Sequence, residues 1–453
     1  MSIEFGYASS IINPELPANL AGYFNIRMWQ QVADDLYVKV AVFRQEGRLG
    51  ALVEYDVITA STELCEEFWR QAKLSQLIGF SAANTIICAT HTHTAPEVRL
   101  DGRPGNSPEF IEMAAGRGVK ALQQALSNMQ SGEIEVGCGF NFDLIFNRRY
   151  WMDNGRVMTN PGKLNPHIKR PEGEIDPEIP LLAFKSGGRI KLLIASIVNH
   201  SDTNGGSNVS ADWPGVARKL VEAKLGEDTL FIPLIGAAGN INHFDVGASF
   251  DQTSYEETRR VGTLYAQSII EALPDLHGLS GDHFQVGSKS LTAGGYNFSA
   301  AELNEAKATV ERFADVADPS TSDVSITAED LANGNPVALK FFAMKILEMS
   351  NMPERYRFDL TGLFFGAAGI CSLPGEPFVE IGLNVRKSVF AGSHILISGH
   401  ANGIGIPGGG GYIPNLWNYG RGGYEVEPLS GPFEQATSRK LIEAWSAIRS
   451  TLK

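Results

Sequence analysis

The sequence predicts an α/β fold with a large mixed β-sheet core flanked by helices. Three observations carry that prediction. Short, strongly apolar segments of strand length recur along all 453 residues; segments with a helical apolar period alternate with them; no repeat or low-complexity tract interrupts the pattern. Residues 36–58 read as two strands around the Glu46–Gly50 turn, with Val38, Val40 and Val42 alternating. Residues 61–77 place Leu64, Phe68, Trp69, Ala72 and Leu77 on one broad helical face, and Asn84–Thr90 is a short buried strand. Ser107-Pro108 supplies a cap and a first-turn proline for a helix over 108–128. Strands follow at 133–140, 181–185 and 191–199, a helix at 214–225, a strand at 229–234 and a long helix at 254–272. Residues 298–316 and 326–350 look helical and more polar, and 298–350 is expected to be an insertion covering a core. Residues 362–373 read as a strand pair or one buried strand, 393–398 as another strand and 433–450 as the last helix. One catalytic domain over 1–453 is expected, its weakest joint near 276–298.

Composition narrows the function. Hydrophobic residues are 43% and charged residues 20%, which are globular values. The net charge of −13 argues against a nucleic-acid partner and against general attraction to anionic membranes. Four cysteines without a CxxC spacing exclude thiolate zinc sites and redox pairs, and Cys88 and Cys371 sit in apolar runs that read as core. The N-terminus shows no basic-then-apolar signal pattern, and no stretch reads as a transmembrane segment. These readings lead to the expectation of a cytoplasmic protein acting on a small-molecule substrate, with a homo-oligomer left open.

Chemistry-bearing residues gather at the ends of the apolar strands. In Thr90-His91-Thr92-His93, directly after the strand at 84–90, the two histidines fall two apart and so share a face of an extended chain. Imidazole is a common zinc ligand, and ligands in α/β sheets bind at carboxyl ends of strands. The strand at 191–199 runs into His200, and Phe364–Leu373 runs into Pro374-Gly375-Glu376, where an acid can offer an oxygen ligand. Only nine histidines exist in the chain, and three of them stand at two strand ends. The loop 402–424 carries Gly408–Gly411, read as a mobile flap, with Tyr412 and Tyr424 beside it. One arginine of Asn147-Arg148-Arg149-Tyr150 is read as able to orient a carboxylate or phosphate, and the turn from Gly236 to His243 as able to offer backbone donors.

In combination these motifs resemble the neutral, non-lysosomal ceramidase superfamily, zinc-dependent amide hydrolases. The stretch THTHTAP is similar to the family's THTHSGP, and His200 with SADWPG looks like its second histidine followed by SGDxxG. Pro374-Gly375-Glu376 looks like its PGE, and Tyr412 and Tyr424 fall twelve apart as its two active-site tyrosines do. The likeness runs from Gly6 and Ile12-Asn13-Pro14 to Ser430-Gly431-Pro432. It implies a ceramidase-like catalytic domain in which His91, His200, Glu376 and Tyr412 bind Zn2+. It makes His93 a catalytic or substrate-contacting group, with Arg148 and Tyr424 binding substrate or the oxyanion. Three departures accompany it. The family's NAGDVSPN turn is here AAGNINHF, so its serine falls on Asn242, an amide that can donate to an oxyanion but offers no nucleophile. The family's C-terminal immunoglobulin-like domain and its secretion signal are both expected to be absent. The departures move the expected substrate from ceramide toward a small polar or amphipathic amide or ester.

The expected mechanism is attack of metal-activated water on a carbonyl. His93 moves the proton, Arg148, Tyr424 and Asn242 hold the oxyanion, and Asp212 orients a ligand histidine. Two rivals stay open: a zinc enzyme of another class, such as a lyase or glycoside-cleaving enzyme, and a non-catalytic ligand-binding homologue. The first is suggested by the polar side chains Asn402, Asn415, Asn418 and Arg421 in the loop.

Overall fold

The computed structural model of the chain describes residues 3–452 apart from 16, 24–25, 101, 280, 282, 317–333, 353 and 407–409. The architecture is mixed α/β, and the large sheet has a second sheet packed on it. Strands β1 (Ile3–Ile11), β2 (Tyr37–Gln45), β3 (Arg48–Tyr55), β4 (Thr85–Ala89), β5 (Gln130–Phe140), β6 (Glu178–Ser186), β7 (Arg189–Ile197) and β8 (Leu230–Ile235) form the first. Their order is β8-β7-β6-β5-β1-β2-β3-β4, and His277–Gly278 pairs with β5 as a ninth, two-residue strand. Strands β9 (Phe284–Gly294), β10 (Arg355–Phe365), β11 (Ala368–Ser372) and β12 (His394–Ser398) form the second, in that order.

A strand covered on both faces must be apolar at nearly every position. In β2, Val38, Val40 and Val42 face helices α1 (Thr62–Leu74) and α2 (Pro108–Ser127), while Ala41 and Phe43 face the second sheet. Helices α3 (Asp212–Leu225) and α4 (Tyr255–Ala272) cover the β6–β8 half of the first sheet in the same way. The outer face of the second sheet packs Phe358, Leu360 and Phe364 against Leu441, Ala444 and Trp445 of the C-terminal helix, Thr437–Thr451. The layers therefore run helix, sheet, sheet, helix. Between the sheets Phe43 lies 4.9 Å from both Phe184 and Phe365, ring centre to ring centre, and Phe365 lies 5.2 Å from Phe284.

Several expectations shift at their edges. The 276–298 joint is where the chain crosses from the first sheet to the second, and its middle is the eleven-residue strand β9. Residues 362–373 are a strand pair, β10 and β11. The polar segments give helices α5 (Ala300–Arg312), opened by a Ser299–Glu302 capping box, and α6 (Pro336–Met349), capped by Asn335. The expected helix start at 326 lies outside the described residues. The last helix begins at Thr437 instead of 433, because Phe433 is held in a bridge to Gly295. Strand β1 is an addition to the expected elements; its Gly6 leaves room for α2, since a Cβ there would overlap the Ala125 carbonyl oxygen. Among the described residues, no helix is long and apolar enough to cross a membrane.

The topology fixes where chemistry can sit. The pairs β3–β4, β7–β8 and β11–β12 are each parallel, so their carboxyl ends point the same way within each pair. Backbone contacts then join the pairs: Thr92 bridges Ser201, Gly399 N donates to Ile235 O at 2.7 Å, and Ala60 N donates to His400 O at 3.2 Å. Loops from both sheets thus meet in one place.

Removing the central ring of the aromatic cluster should open a cavity that neither sheet can close. Phe365→Ala is expected to cost about 3–5 kcal/mol, seen as a lower urea midpoint. Phe142→Ala, at a side chain 63% exposed, should leave the midpoint within error.

Candidate metal centre

His91 follows β4, His200 follows β7 and Glu376 follows β11, so each is delivered by the carboxyl end of a strand. His91 Nδ1 lies 2.7 Å from Ile58 O, and His200 Nδ1 lies 2.8 Å from Ile241 O. A carbonyl only accepts, so both rings carry the proton on Nδ1 and turn an Nε2 lone pair inward. Between those lone pairs stands Glu376 Oε2, 3.7 Å from His91 Nε2 and 3.4 Å from His200 Nε2, buried and without a hydrogen-bond partner. His93 Nε2 approaches His91 Nε2 to 3.3 Å, and the ligand atoms of His91, His93 and His200 all lie within 4.8 Å of one another. Acceptor atoms gathered in a dry site repel unless a cation lies among them, so this donor set fits a divalent metal, and its imidazole and carboxylate chemistry suits zinc.

The electrostatics agree. Burial pushes the imidazole pKa values of His91, His93 and His200 down, which keeps the rings neutral, the form a metal requires. Burial opposes ionisation of Glu376, but His91, His400, Arg148 and the Tyr412 hydroxyl outweigh it and hold its carboxyl below the usual range. Burial, with Glu376 beside it, pushes the Tyr412 phenol well up, so the phenol keeps its proton next to the carboxylate. Tyr412 pairs in register with Glu376, and its ring meets that of Tyr424 edge-on at 5.6 Å.

Arg148 closes one side. Its Nη1 lies 3.2 Å from His200 Nε2, Nη2 donates to Gly239 O at 2.7 Å, and Nε pairs with Glu425 Oε1 at 3.0 Å. Its guanidinium stands 5.3 Å from the Tyr412 ring centre and 5.5 Å from that of Tyr424. The other Glu425 oxygen takes Arg149 Nη1 at 2.7 Å, and Arg149 also pairs with Glu172. Glu425 directly follows Tyr424, so this buried carboxylate ties the tyrosine turn to both arginines.

The structure brings together His91, His93, His200, Glu376, Tyr412, Arg148 and Tyr424 from the sequence-derived set. Asn242 stands one residue beyond the Ile241 carbonyl, with Nδ2 donating to Asn160 Oδ1 and Oδ1 accepting from Phe244 N. Asp212 does not orient a ligand histidine, because backbone carbonyls already do. Its carboxylate accepts from Thr203 N at 3.1 Å and Trp213 N at 2.7 Å, which shapes the loop after His200. The flap reading of Gly408–Gly411 falls partly on 407–409, outside the described residues. The three loop amides each bond to other groups of the chain. Asn402 Oδ1 accepts from Ile87 N, and Asn415 and Asn418 cap one another.

Sequence reasoning missed His400. Its ring stacks on His91 at 3.9 Å with 15° between planes, and it follows β12 just as His91 follows β4. The strand-end pattern that singled out His91 and His200 was the available signal. His91, His400 and Asn402 have φ of +60°, +50° and +53°, a left-handed conformation that costs non-glycine residues free energy and clusters at functional sites.

The chain has the fold of the ceramidases. It superposes on neutral ceramidase from Pseudomonas aeruginosa with a TM-score of 0.73 and 16% identity, over 100% of this chain and 75% of that one. A ceramidase complexed with C2 gives the same TM-score and identity, over 99% of this chain and 75% of that one. No family model and no curated protein matches the sequence.

Glu425→Gln keeps the shape and removes the charge shared by two buried arginines. It should destabilise the fold by about 3–5 kcal/mol, measured by chemical denaturation.

Proposed function

We propose that this protein is a metal-dependent hydrolase that cleaves an amide or ester bond of a small polar or amphipathic substrate. The observation that carries the proposal is the pair of carbonyl-pinned histidines facing the partnerless Glu376 oxygen, with Arg148 and two phenols along one side. The shared fold with proteins named as ceramidases supports the hydrolytic class, and so do the matching sequence motifs.

His91, His200 and Glu376 would hold the metal, with Tyr412 adjoining as fourth ligand or as donor to Glu376. A zinc ion held there would supply Lewis acidity and would lower the pKa of water toward about 7. The residues of the chain do the rest. Arg148 and the Tyr424 hydroxyl present donors to the substrate carbonyl oxygen as it gains charge. His93 Nε2 takes the proton released from water and returns it to the departing nitrogen or oxygen as the bond to the acyl carbon breaks. Water thereby adds across that bond: one proton passes through His93 to the leaving group, and the other stays on the oxygen that becomes part of the new carboxyl group. The Asn242 amide is engaged with Asn160 and Phe244, so oxyanion support falls chiefly to Arg148 and Tyr424.

A glycoside-cleaving reading loses its support once the loop amides prove to be structural. Arg421 is the exception, lying 4.6 Å from the Trp417 ring centre and 5.5 Å from that of Trp151.

Elemental analysis should find close to one zinc per chain in protein reconstituted with zinc chloride, and the metal should be lost in His91→Ala and in His200→Ala. His93→Ala should keep most of the metal and lose about 10²–10⁴-fold in hydrolysis of amide or ester probes. Reconstituted wild-type protein that holds no metal would overturn the reading.

A further inference from the structure

The three clustered histidines are not equivalent. His91 and His200 each have a carbonyl on Nδ1, which leaves them one tautomer. His93 has none; its Nδ1 is buried without a hydrogen-bond partner. Behind it stands Asp202, with Oδ1 3.7 Å from that nitrogen, and the Tyr23 hydroxyl donates to the same oxygen at 2.6 Å.

This grouping is built on several contacts at once. Thr92 bridges Ser201, and His93 N donates to Ser201 O at 3.2 Å, so the loops carrying His93 and Asp202 move as one. The Tyr23 ring meets the His93 ring edge-on at 5.8 Å. Arg27 lies 4.0 Å over Tyr23 and donates to the carbonyls of Ala21 and His93, which holds Tyr23 against the histidine. Gly22 permits the approach, since a Cβ there would collide with His93 Nδ1.

We infer that Asp202, held by Tyr23, fixes His93 as its Nδ1–H tautomer and thereby keeps the Nε2 lone pair directed into the metal centre. The inference deepens the hydrolase reading and rests on it for its catalytic consequence only. The other tautomer meets two conflicts. A proton on His93 Nε2 would point at His91 Nε2, 3.3 Å away, and leave His93 no lone pair there to accept a proton from water. It would also turn the Nδ1 lone pair toward a carboxylate. Moving the proton to Nδ1 removes both: Nδ1–H faces Asp202, and Nε2 is free to accept a proton from water. The 3.7 Å separation is about 0.8 Å longer than an N–H···O bond, and such contacts tighten in the working complex. Asp202 is a positioning residue here, acting through His93. Its carboxylate then faces the imidazolium that forms when Nε2 takes the proton.

The test uses full-length protein, nitrogen-15 labelled at histidine and loaded with zinc chloride. Ring proton–nitrogen correlation spectra report which nitrogen carries the proton, with His93 assigned by its loss in His93→Gln. Wild type should show His93 protonated on Nδ1. Asp202→Asn, whose amide can donate toward Nδ1, should shift it to Nε2–H, and Tyr23→Phe should give a mixture. Zinc content should stay near one per chain in both. On any hydrolysed probe, Asp202→Asn should lower kcat about 10²–10⁴-fold with KM changed less than about threefold, and Asp202→Glu should recover part of it. A wild-type His93 protonated on Nε2, or a tautomer unmoved by Asp202→Asn, overturns the inference. The tautomer needs no substrate, so failure to find a hydrolysed probe counts against the hydrolase reading and leaves this one to its own spectrum.

Discussion

Two backbone carbonyls govern the chemistry of the site. Ile58 O and Ile241 O each take the Nδ1 proton of a buried histidine, and each belongs to a loop that leaves the carboxyl end of a strand. A carbonyl cannot switch from acceptor to donor, so the outcome is insensitive to small movements of the surrounding side chains. The lone pairs of His91 and His200 must face inward, toward Glu376. Everything nearby answers to that concentration of acceptors: burial keeps the rings neutral, Arg148 supplies positive charge, and the phenols keep their protons.

The positive charge is itself anchored at depth. Arg148 is bound to Glu425, Glu425 to Arg149, Arg149 to Glu172, and Glu172 lies 3.5 Å from Arg421 at the half-exposed edge. The chain alternates in sign from the surface to His200. Burying one isolated guanidinium beside a metal centre would be costly, whereas an alternating row satisfies each member through its neighbours. The row also explains why Arg148 and Tyr424 stand together: Glu425 follows the tyrosine in sequence and holds the arginine in space.

Much of this was legible. Apolar runs bounded by turns marked most strands, a helical apolar period marked α1, and a Ser-Pro cap marked α2, because those signals are local. His91, His93, His200 and Glu376 were legible for the same reason, each standing next to a strand end. What was missed depends on distant pairing. Strand β1 carries mixed residues and is defined by its antiparallel partner β2. The separation into two sheets cannot be read from strands that look alike whichever layer they join. Lys39, Glu54 and Asp56 interrupt apolar runs, yet all three are buried, with Lys39 Nζ 2.6 Å from Glu54 Oε2 and 2.7 Å from Asp56 Oδ1. Asp202 and Tyr23 are 179 residues apart, and no spacing rule joins them. The loop asparagines misled for the opposite reason: polar residues in a glycine-rich loop resemble ligand contacts, but backbone groups without strand partners must also be satisfied, and Asn402, Asn415 and Asn418 meet that need.

The left-handed residues connect stability to function. His91, His400 and Asn402 lie at the ends of β4 and β12, where each chain must leave its strand sharply for the histidines to meet. Glycine would relieve the backbone but provide no ring and no amide. Each position instead keeps a side chain that the site uses. His91 faces Glu376, His400 stacks on His91, and Asn402 accepts from Ile87 N in the strand that delivers His91. Asn402 thereby braces β4 from the second sheet, so the strain is shared between elements already joined by the Phe43 and Phe365 core. The packing between sheets and the geometry of the histidines are for this reason one problem. A loosened core would be felt at the histidine cluster even though none of its rings belongs to that cluster.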